Sequence, residues 1–229
     1  MRKYKYLLWD VDGTIIDFDA AEKAAMQTLF NQFGLGECSS QMLEEYSQIN
    51  KKYWEKLERG EMTKDQILVQ RFVEFFEKEK IDSSVASKFN QEYQLALGDT
   101  IVVHDDAIEI IKKFKETYQI VIVTNGTAVA QKKKLEKLGL NILADYIFIS
   151  EIVGAEKPNR QFFEKVISEV GIHDLKQALI IGDSLTSDIQ GGYNSGIDTC
   201  WYNPKEVPNH TSLKPTYIIK NLHELEEII

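Results

Sequence analysis

Cysteine is nearly absent from this chain of 229 residues: Cys38 and Cys200 are the only two. A pair so far apart makes neither a disulfide framework nor a zinc-ligand spacing. A reducing, cytoplasmic location is the expectation. Positive charge is also scarce, with 27 Lys and Arg against 36 Asp and Glu and a formal net charge of −9. A duplex binder needs a basic face to release counterions from phosphates, so no nucleic-acid polymer is expected as a partner. The densest basic run, Lys132, Lys133 and Lys134, falls in a helical pattern and reads as a solvated face. No apolar run reaches the roughly 18 residues of a membrane span, so no membrane partner is expected. The N-terminal residues lead into a strand pattern rather than a signal-peptide stretch. Internal repeats and low-complexity segments are missing too, and nothing reports an oligomeric state.

What remains is a balance of 43% hydrophobic and 28% charged residues, which fits an ordinary globular protein with a sizeable core. Near-continuous apolar runs mark strands at Tyr4 to Asp10, Gln119 to Thr124, Tyr146 to Ser150 and Ala178 to Asp183. Shorter ones lie at Asp198 to Tyr202 and Tyr217 to Ile219. Such runs suit strands covered on both faces. Helical spacing fills the gaps at Ala107 to Thr117, Ala128 to Leu138, Arg160 to Val170 and Ser187 to Asn194. The alternation predicts an α/β fold with a doubly wound parallel sheet. Residues 17–98 break the rhythm with four helical patterns in a row, about Asp19 to Phe33, Ser40 to Glu58, Lys64 to Glu79 and Ser83 to Leu97. They predict a helical subdomain inserted into a core made of residues 1–16 and 99–229.

Four short elements carry chemistry, each at or just beyond the C-terminal end of an expected strand, where open α/β sheets bind ligands. Asp10-Val11-Asp12-Gly13-Thr14 sets two carboxylates two residues apart, so an extended chain turns both toward one site. One acid can attack phosphorus while the other handles a proton. An acidic strand-closing turn is the plainer alternative. Thr124-Asn125-Gly126 offers a hydroxyl, an amide and backbone N–H groups at a helix start, a cradle for phosphate or an ordinary N-cap. Lys157-Pro158 fixes a lysine that can neutralise phosphate and the attacking carboxylate, although most lysines do neither. Gly182-Asp183 opens a segment running to Asp188. Magnesium takes hard oxygen ligands and few of them from protein. Asp10, Asp183 and one backbone carbonyl would suffice, with Asp188 one helical turn onward supporting them from behind. Without histidine or cysteine in any element, magnesium is expected and manganese is a plausible substitute.

Together, in this order and on these elements, the segments resemble the four motifs of the haloacid dehalogenase-like hydrolases, and the likeness spans the whole chain. It implies that Asp10 is a nucleophile that becomes aspartyl-phosphate. It implies that Asp12 is the acid/base whose backbone carbonyl binds metal, that Thr124 and Lys157 hold phosphate, and that Asp183 is the remaining metal ligand. The helical insert looks like that superfamily's C1-type cap. Members that cleave carbon–halogen bonds lack a second acid at the position of Asp12. A narrower likeness rests on Asp17-Phe18, on Val153 to Asn159 and on Gly196 to Pro204. It resembles the 5′-nucleotidases acting on pyrimidine nucleoside monophosphates, UMP, dUMP, dTMP and noncanonical analogues among them. The resemblance thus implies a small-molecule phosphate monoester as substrate. A phosphatase for phosphoglycolate or a sugar phosphate, and a β-phosphoglucomutase-like phosphomutase, are the alternatives. A non-enzymatic binding protein is disfavoured by the intact set Asp10, Asp12, Thr124, Lys157 and Asp183. Phe18, Phe33, Tyr53, Trp54, Phe72 and Tyr93 are candidates to stack on a base, though aromatics at helical spacing more often pack helix on helix. The histidines read as surface residues and Asp105-Asp106 as a helix N-cap.

Overall fold

The computed structural model describes residues 3–229. Among them, strands β1 (Tyr6–Trp9), β2 (Gln119–Thr124), β3 (Tyr146–Ile149), β4 (Ala178–Gly182), β5 (Asp198–Tyr202) and β6 (Tyr217–Ile219) build one sheet. Its order is β3-β2-β1-β4-β5-β6, and every neighbouring pair is parallel. The helices in chain order are α1 (Phe18–Gln32), α2 (Ser40–Glu58), α3 (Lys64–Lys78), α4 (Ala86–Ala96), α5 (Ala107–Lys115) and α6 (Ala128–Lys137). They continue with α7 (Leu140–Leu143), α8 (Ser150–Val153), α9 (Arg160–Val170), α10 (Gln190–Ser195) and α11 (Leu225–Ile228). No helix is long and apolar enough to cross a membrane among the described residues.

The sheet explains the apolar runs. Leu8, Val121 and Ile180 stand side by side in β1, β2 and β4 and pack with Phe162, Phe163, Val166 and Val170 of α9. Their neighbours Leu7, Ile120 and Leu179 point to the other face and are equally buried. Strands with no solvent face cannot alternate in polarity, so they read as continuous apolar runs. Truncating Leu8 to Ala would cost about 2–5 kcal/mol through lost burial and a residual cavity. The strand order reverses between β1 and β4. The crevice beyond the strand ends at such a reversal is where α/β sheets bind ligands.

The chain divides into two compact units, Met1–Asp17 with Val102–Ile229, and Phe18–Ile101. The second holds α1 to α4. Thr63 and Gln66 close a reciprocal capping box at the start of α3, and Ser39 caps α2 by accepting from the Met42 N–H. Its core is aromatic: Tyr46 stacks on Phe72 with centroids 4.9 Å apart, and Phe72 meets Phe89 at 5.0 Å and Tyr93 at 5.1 Å. Phe72 and Tyr93 are therefore helix-packing residues, the more frequent role of aromatics at helical spacing, rather than rings for a base. Phe33 packs on Phe89, and the Tyr53 hydroxyl donates to Glu74.

Two further expectations change. The segment after β4 forms a wide π turn, Leu185–Ile189, before α10, rather than a plain helix over 187–194. Asp106 occupies the N-cap position of α5 with φ 56 and gives no side-chain cap. Asp105 instead accepts from the Tyr202 hydroxyl at 2.8 Å and the Leu222 N–H at 3.1 Å, tying α5 to β5 and the C-terminal segment.

Candidate active site

Strand register brings the separated acids to one edge. Trp9 lies beside Ile122 and Ile181, so Asp10 emerges level with Val123 and Gly182, and its N–H donates to the Ile181 carbonyl. β1 and β4 each stop one residue short of their expected ends, leaving Asp10 and Asp183 just beyond the ladder. Lys157, buried in the loop before α9, reaches the same edge. Its ammonium donates to Asp10 Oδ1 at 2.6 Å, Asp188 Oδ1 at 2.7 Å and the Val123 carbonyl at 2.9 Å. An ammonium has three protons, and each has an acceptor here. Burial works against the charge on Lys157, but Asp10 and Asp188 outweigh it and hold the pKa above its ordinary value.

Asp183 and Asp188 arrive together on the turn after β4. Asp188 Oδ2 accepts from the Ser184 N–H at 3.1 Å, so both Asp188 oxygens are engaged. Asp183 Oδ1 accepts from the Thr14 hydroxyl at 3.1 Å, and the Trp201 indole donates to the Asp183 carbonyl at 2.8 Å. Two glycines make the crowding feasible. A Cβ on Gly13, which has φ +89, would lie 2.5 Å from Asp183 Oδ2, and one on Gly182 would lie 2.2 Å from Asp188 Cγ. Burial, with Asp188 and Asp183 adding to it against the pull of Lys157, pushes Asp10 well above the usual carboxylate range. Burial and then the Asp188 charge push Asp183 up to about 7. Carboxylate oxygens of Asp10, Asp183 and Asp188 lie within 4.8 Å of one another. Three carboxylates against one ammonium leave an excess of negative charge on oxygen donors alone. That donor set fits a hard divalent cation such as magnesium.

Asp12 has partners of its own. Its Oδ2 accepts from Gln131 Nε2 at 2.6 Å and its Oδ1 from Lys134 Nζ at 2.5 Å, both on α6. Lys134 is fully buried, which corrects the reading of Lys132 to Lys134 as one solvated face. The N-cap Thr127 and, within α6, Ala130, Gln131, Lys134 and Leu135 form one buried stripe, at the i, i+3, i+4, i+7, i+8 spacing of a helix face. That spacing was present in the sequence and singles out Lys134 from its two neighbours. Thr124 is buried, and its hydroxyl accepts from the Gly126 N–H at 3.2 Å. The Asn125 amide is turned to protein: it accepts from the Lys157 N–H at 2.9 Å and donates to the Lys157 carbonyl at 2.8 Å. A phosphate-holding role for that side chain is replaced by a clamp on the lysine loop. Thr14, Gln131, Lys134 and Trp201 are the site-bearing residues that sequence reasoning passed over.

A family profile described as haloacid dehalogenase-like hydrolase matches residues 7–202. The chain is 37% identical over 229 residues to the HAD-hydrolase YfnB of Bacillus subtilis, spanning 100% of this chain and 97% of that one. It is 36% identical over 225 residues to the pyrimidine 5′-nucleotidase PynA of Streptococcus pneumoniae, spanning 97% and 93%. The pyrimidine 5′-nucleotidase YjjG of Escherichia coli is 29% identical over 227 residues, spanning 99% and 98%. A crystal structure of YfnB bound to magnesium matches with a TM-score of 0.92 at 36% identity, covering 99% of each chain.

Proposed function

Because this chain belongs to the haloacid dehalogenase-like hydrolases, we propose that it is a magnesium-dependent phosphatase acting through an aspartyl-phosphate on Asp10. We assign it pyrimidine nucleoside 5′-monophosphates as substrates. The observation that carries the chemistry is the buried contact of Lys157 with Asp10 at 2.6 Å, with a second carboxylate two residues on that is held apart. A nucleophile and a proton carrier are thereby separated by one residue.

In this reading Lys157 fixes Asp10 through Oδ1, and Oδ2 attacks phosphorus. The new Oδ2–P bond forms as the bond to the leaving alcohol breaks, and Asp12 gives its proton to that alcohol oxygen. Water then attacks the phosphorus of the aspartyl-phosphate, Asp12 takes its proton, and the Oδ2–P bond breaks to release inorganic phosphate. Thr124 and the charge of Lys157 hold the phosphoryl oxygens. Asp10, Asp183 and the Asp12 carbonyl would hold magnesium, with manganese as a substitute. Bound there, it supplies the positive charge that neutralises the phosphate and the carboxylates around it. Asp188, with both oxygens engaged, keeps Lys157 and the Ser184 turn in place.

The substrate class is supported by the full-length likeness to two proteins named pyrimidine 5′-nucleotidases. Of the aromatic candidates in the helical unit, Trp54 is only partly buried and is the ring we assign to stacking. Base stacking on a ring is worth about 1–3 kcal/mol, so selectivity over esters lacking a base reaches at most roughly a hundredfold. The test compares kcat/KM at one magnesium concentration. UMP, dUMP and dTMP should exceed purine monophosphates, and these should exceed phosphoglycolate and hexose phosphates. A hexose phosphate or phosphoglycolate that beats every nucleotide ends the nucleotidase reading and leaves the phosphatase reading standing.

A further inference from the structure

We propose that Lys134 and Gln131 are positioning residues that hold the Asp12 carboxyl group in place for proton transfer; this rests on the acid/base role assigned to Asp12 above. Asp12 sits on the bend after β1 with a side chain 22% exposed, whereas Lys134 is 1% exposed. A lysine is rarely buried without a purpose for its charge, because desolvating an ammonium is costly. Lys134 meets Asp12 at 2.5 Å and Gln131 meets the other oxygen at 2.6 Å, so the two oxygens are held from one helix by donors three residues apart. Two bonds to two different oxygens fix the plane of the carboxyl group as well as its position, which one bond would not do.

Two further details point the same way. Gln131 Oε1 is buried with no hydrogen-bond partner among the described residues, so the amide that already serves the carboxyl as a donor keeps an unused acceptor. A carboxyl that gives and takes a proton in turn can be met by such an amide in either form. The chain also leaves room for this side chain: a Cβ on Gly126 would fall 2.1 Å from Gln131 Nε2. Gly126 is the third residue of the Thr124-Asn125-Gly126 segment, so the turn carrying Thr124 also admits the amide that aligns Asp12. Substrate-holding and proton-transferring groups are in this way referenced to one stretch of backbone, from the end of β2 into α6. A misplaced general acid loses much of the 10²–10⁴-fold such a group contributes, at about tenfold or more for small displacements.

The test separates alignment of the acid from general damage. Phosphoryl transfer to Asp10 and departure of the alcohol both lie within kcat/KM, whereas later hydrolysis of the aspartyl-phosphate does not. UMP releases a nucleoside alkoxide that needs a proton, and p-nitrophenyl phosphate releases a stable phenolate that does not. Lys134→Met keeps the length and apolar stem while removing the charge. It should lower kcat/KM for UMP by about ten- to a hundredfold and that for p-nitrophenyl phosphate by less than about threefold. Lys134→Arg should recover most of the loss, and Gln131→Met should share the pattern of Lys134→Met. Cooperative thermal unfolding establishes that each variant is folded. Asp12→Asn is the reference. If it fails to discriminate between the two esters, the acid/base reading itself is wrong and the inference falls with it. If Asp12→Asn discriminates but Lys134→Met matches the parent, or lowers both esters equally, the inference alone is overturned. A crystal structure of Lys134→Met with the Asp12 carboxyl unmoved overturns it without reference to activity.

Discussion

The amide of Asn125 grips the backbone of Lys157 from both sides, accepting from its N–H at 2.9 Å and donating to its carbonyl at 2.8 Å. The residue after β2 thus sets where the lysine side chain starts, and the lysine sets where Asp10 points. Asn125→Ala removes both bonds, each worth about 1 kcal/mol, and strands a backbone N–H. The expected result is a fall in kcat/KM of about ten- to a hundredfold, with thermal unfolding lowered by only a few degrees. Activity near the parent value would show that Lys157 is held by its other contacts alone.

Asp10 is assigned the phosphoryl group, although Asp12 lies two residues away. Asp10→Asn and Asp10→Ala should both abolish turnover. A crystal grown with a fluoride mimic of phosphate should carry the adduct on Asp10. An adduct on Asp12, or measurable turnover in Asp10→Ala, rejects the assignment.

Asp183 and Asp188 differ in what their oxygens already do. Asp188 binds Lys157 and the Ser184 N–H, while Asp183 takes one bond from Thr14. Calorimetric titration with magnesium should therefore show a larger loss of affinity for Asp183→Ala than for Asp188→Ala. Chelator should remove activity and magnesium restore it. Equal affinity losses, or full activity in excess chelator, contradict the ligand set.

In the helical unit, Arg71 is fully buried and donates to Asn50 at 2.6 Å and Asn90 at 3.2 Å. Asn50 in turn donates to the buried carboxylate of Glu22 at 2.7 Å, and burial raises the Glu22 pKa. Arg71→Met leaves that carboxylate without its cation, and should lower stability by about 3–5 kcal/mol in urea unfolding. The double variant Arg71→Met with Glu22→Leu should recover much of the loss, since a buried ion network is often replaceable by apolar groups. A single variant as stable as the parent would mean that the network carries no such weight.

Much of this was legible because the signals are local. Continuous apolar runs specify buried parallel strands, and residues 119–124, 198–202 and 217–219 match β2, β5 and β6 residue for residue. Asp10, Asp12, Thr124 and Asp183 lie at or just past strand ends, and Lys157 lies in the loop between α8 and α9, so motif order and the rule of the sheet edge point to them together. The partners of those residues were less accessible. Asn125 looked like a phosphate ligand because a side-chain amide after a strand serves either purpose, and only the approach of the Lys157 loop from 32 residues away decides between them. Lys134 looked solvated because the run of three lysines was read as one unit, whereas the helical period from Thr127 to Leu135 sets Lys134 alone on the buried face.

The sequence by itself determined the alternation of strands and helices, the insert and the acids that end the strands, since each follows from hydrophobic period and chain order over a few residues. The tertiary structure alone decided which oxygen meets which nitrogen. Lys157 reaches Asp10 across 147 residues and Lys134 reaches Asp12 across 122, contacts set by strand register and by the rotation of α6 on the sheet. Those are properties of packing between distant segments, where a shift of one residue would turn each of these side chains toward a different face.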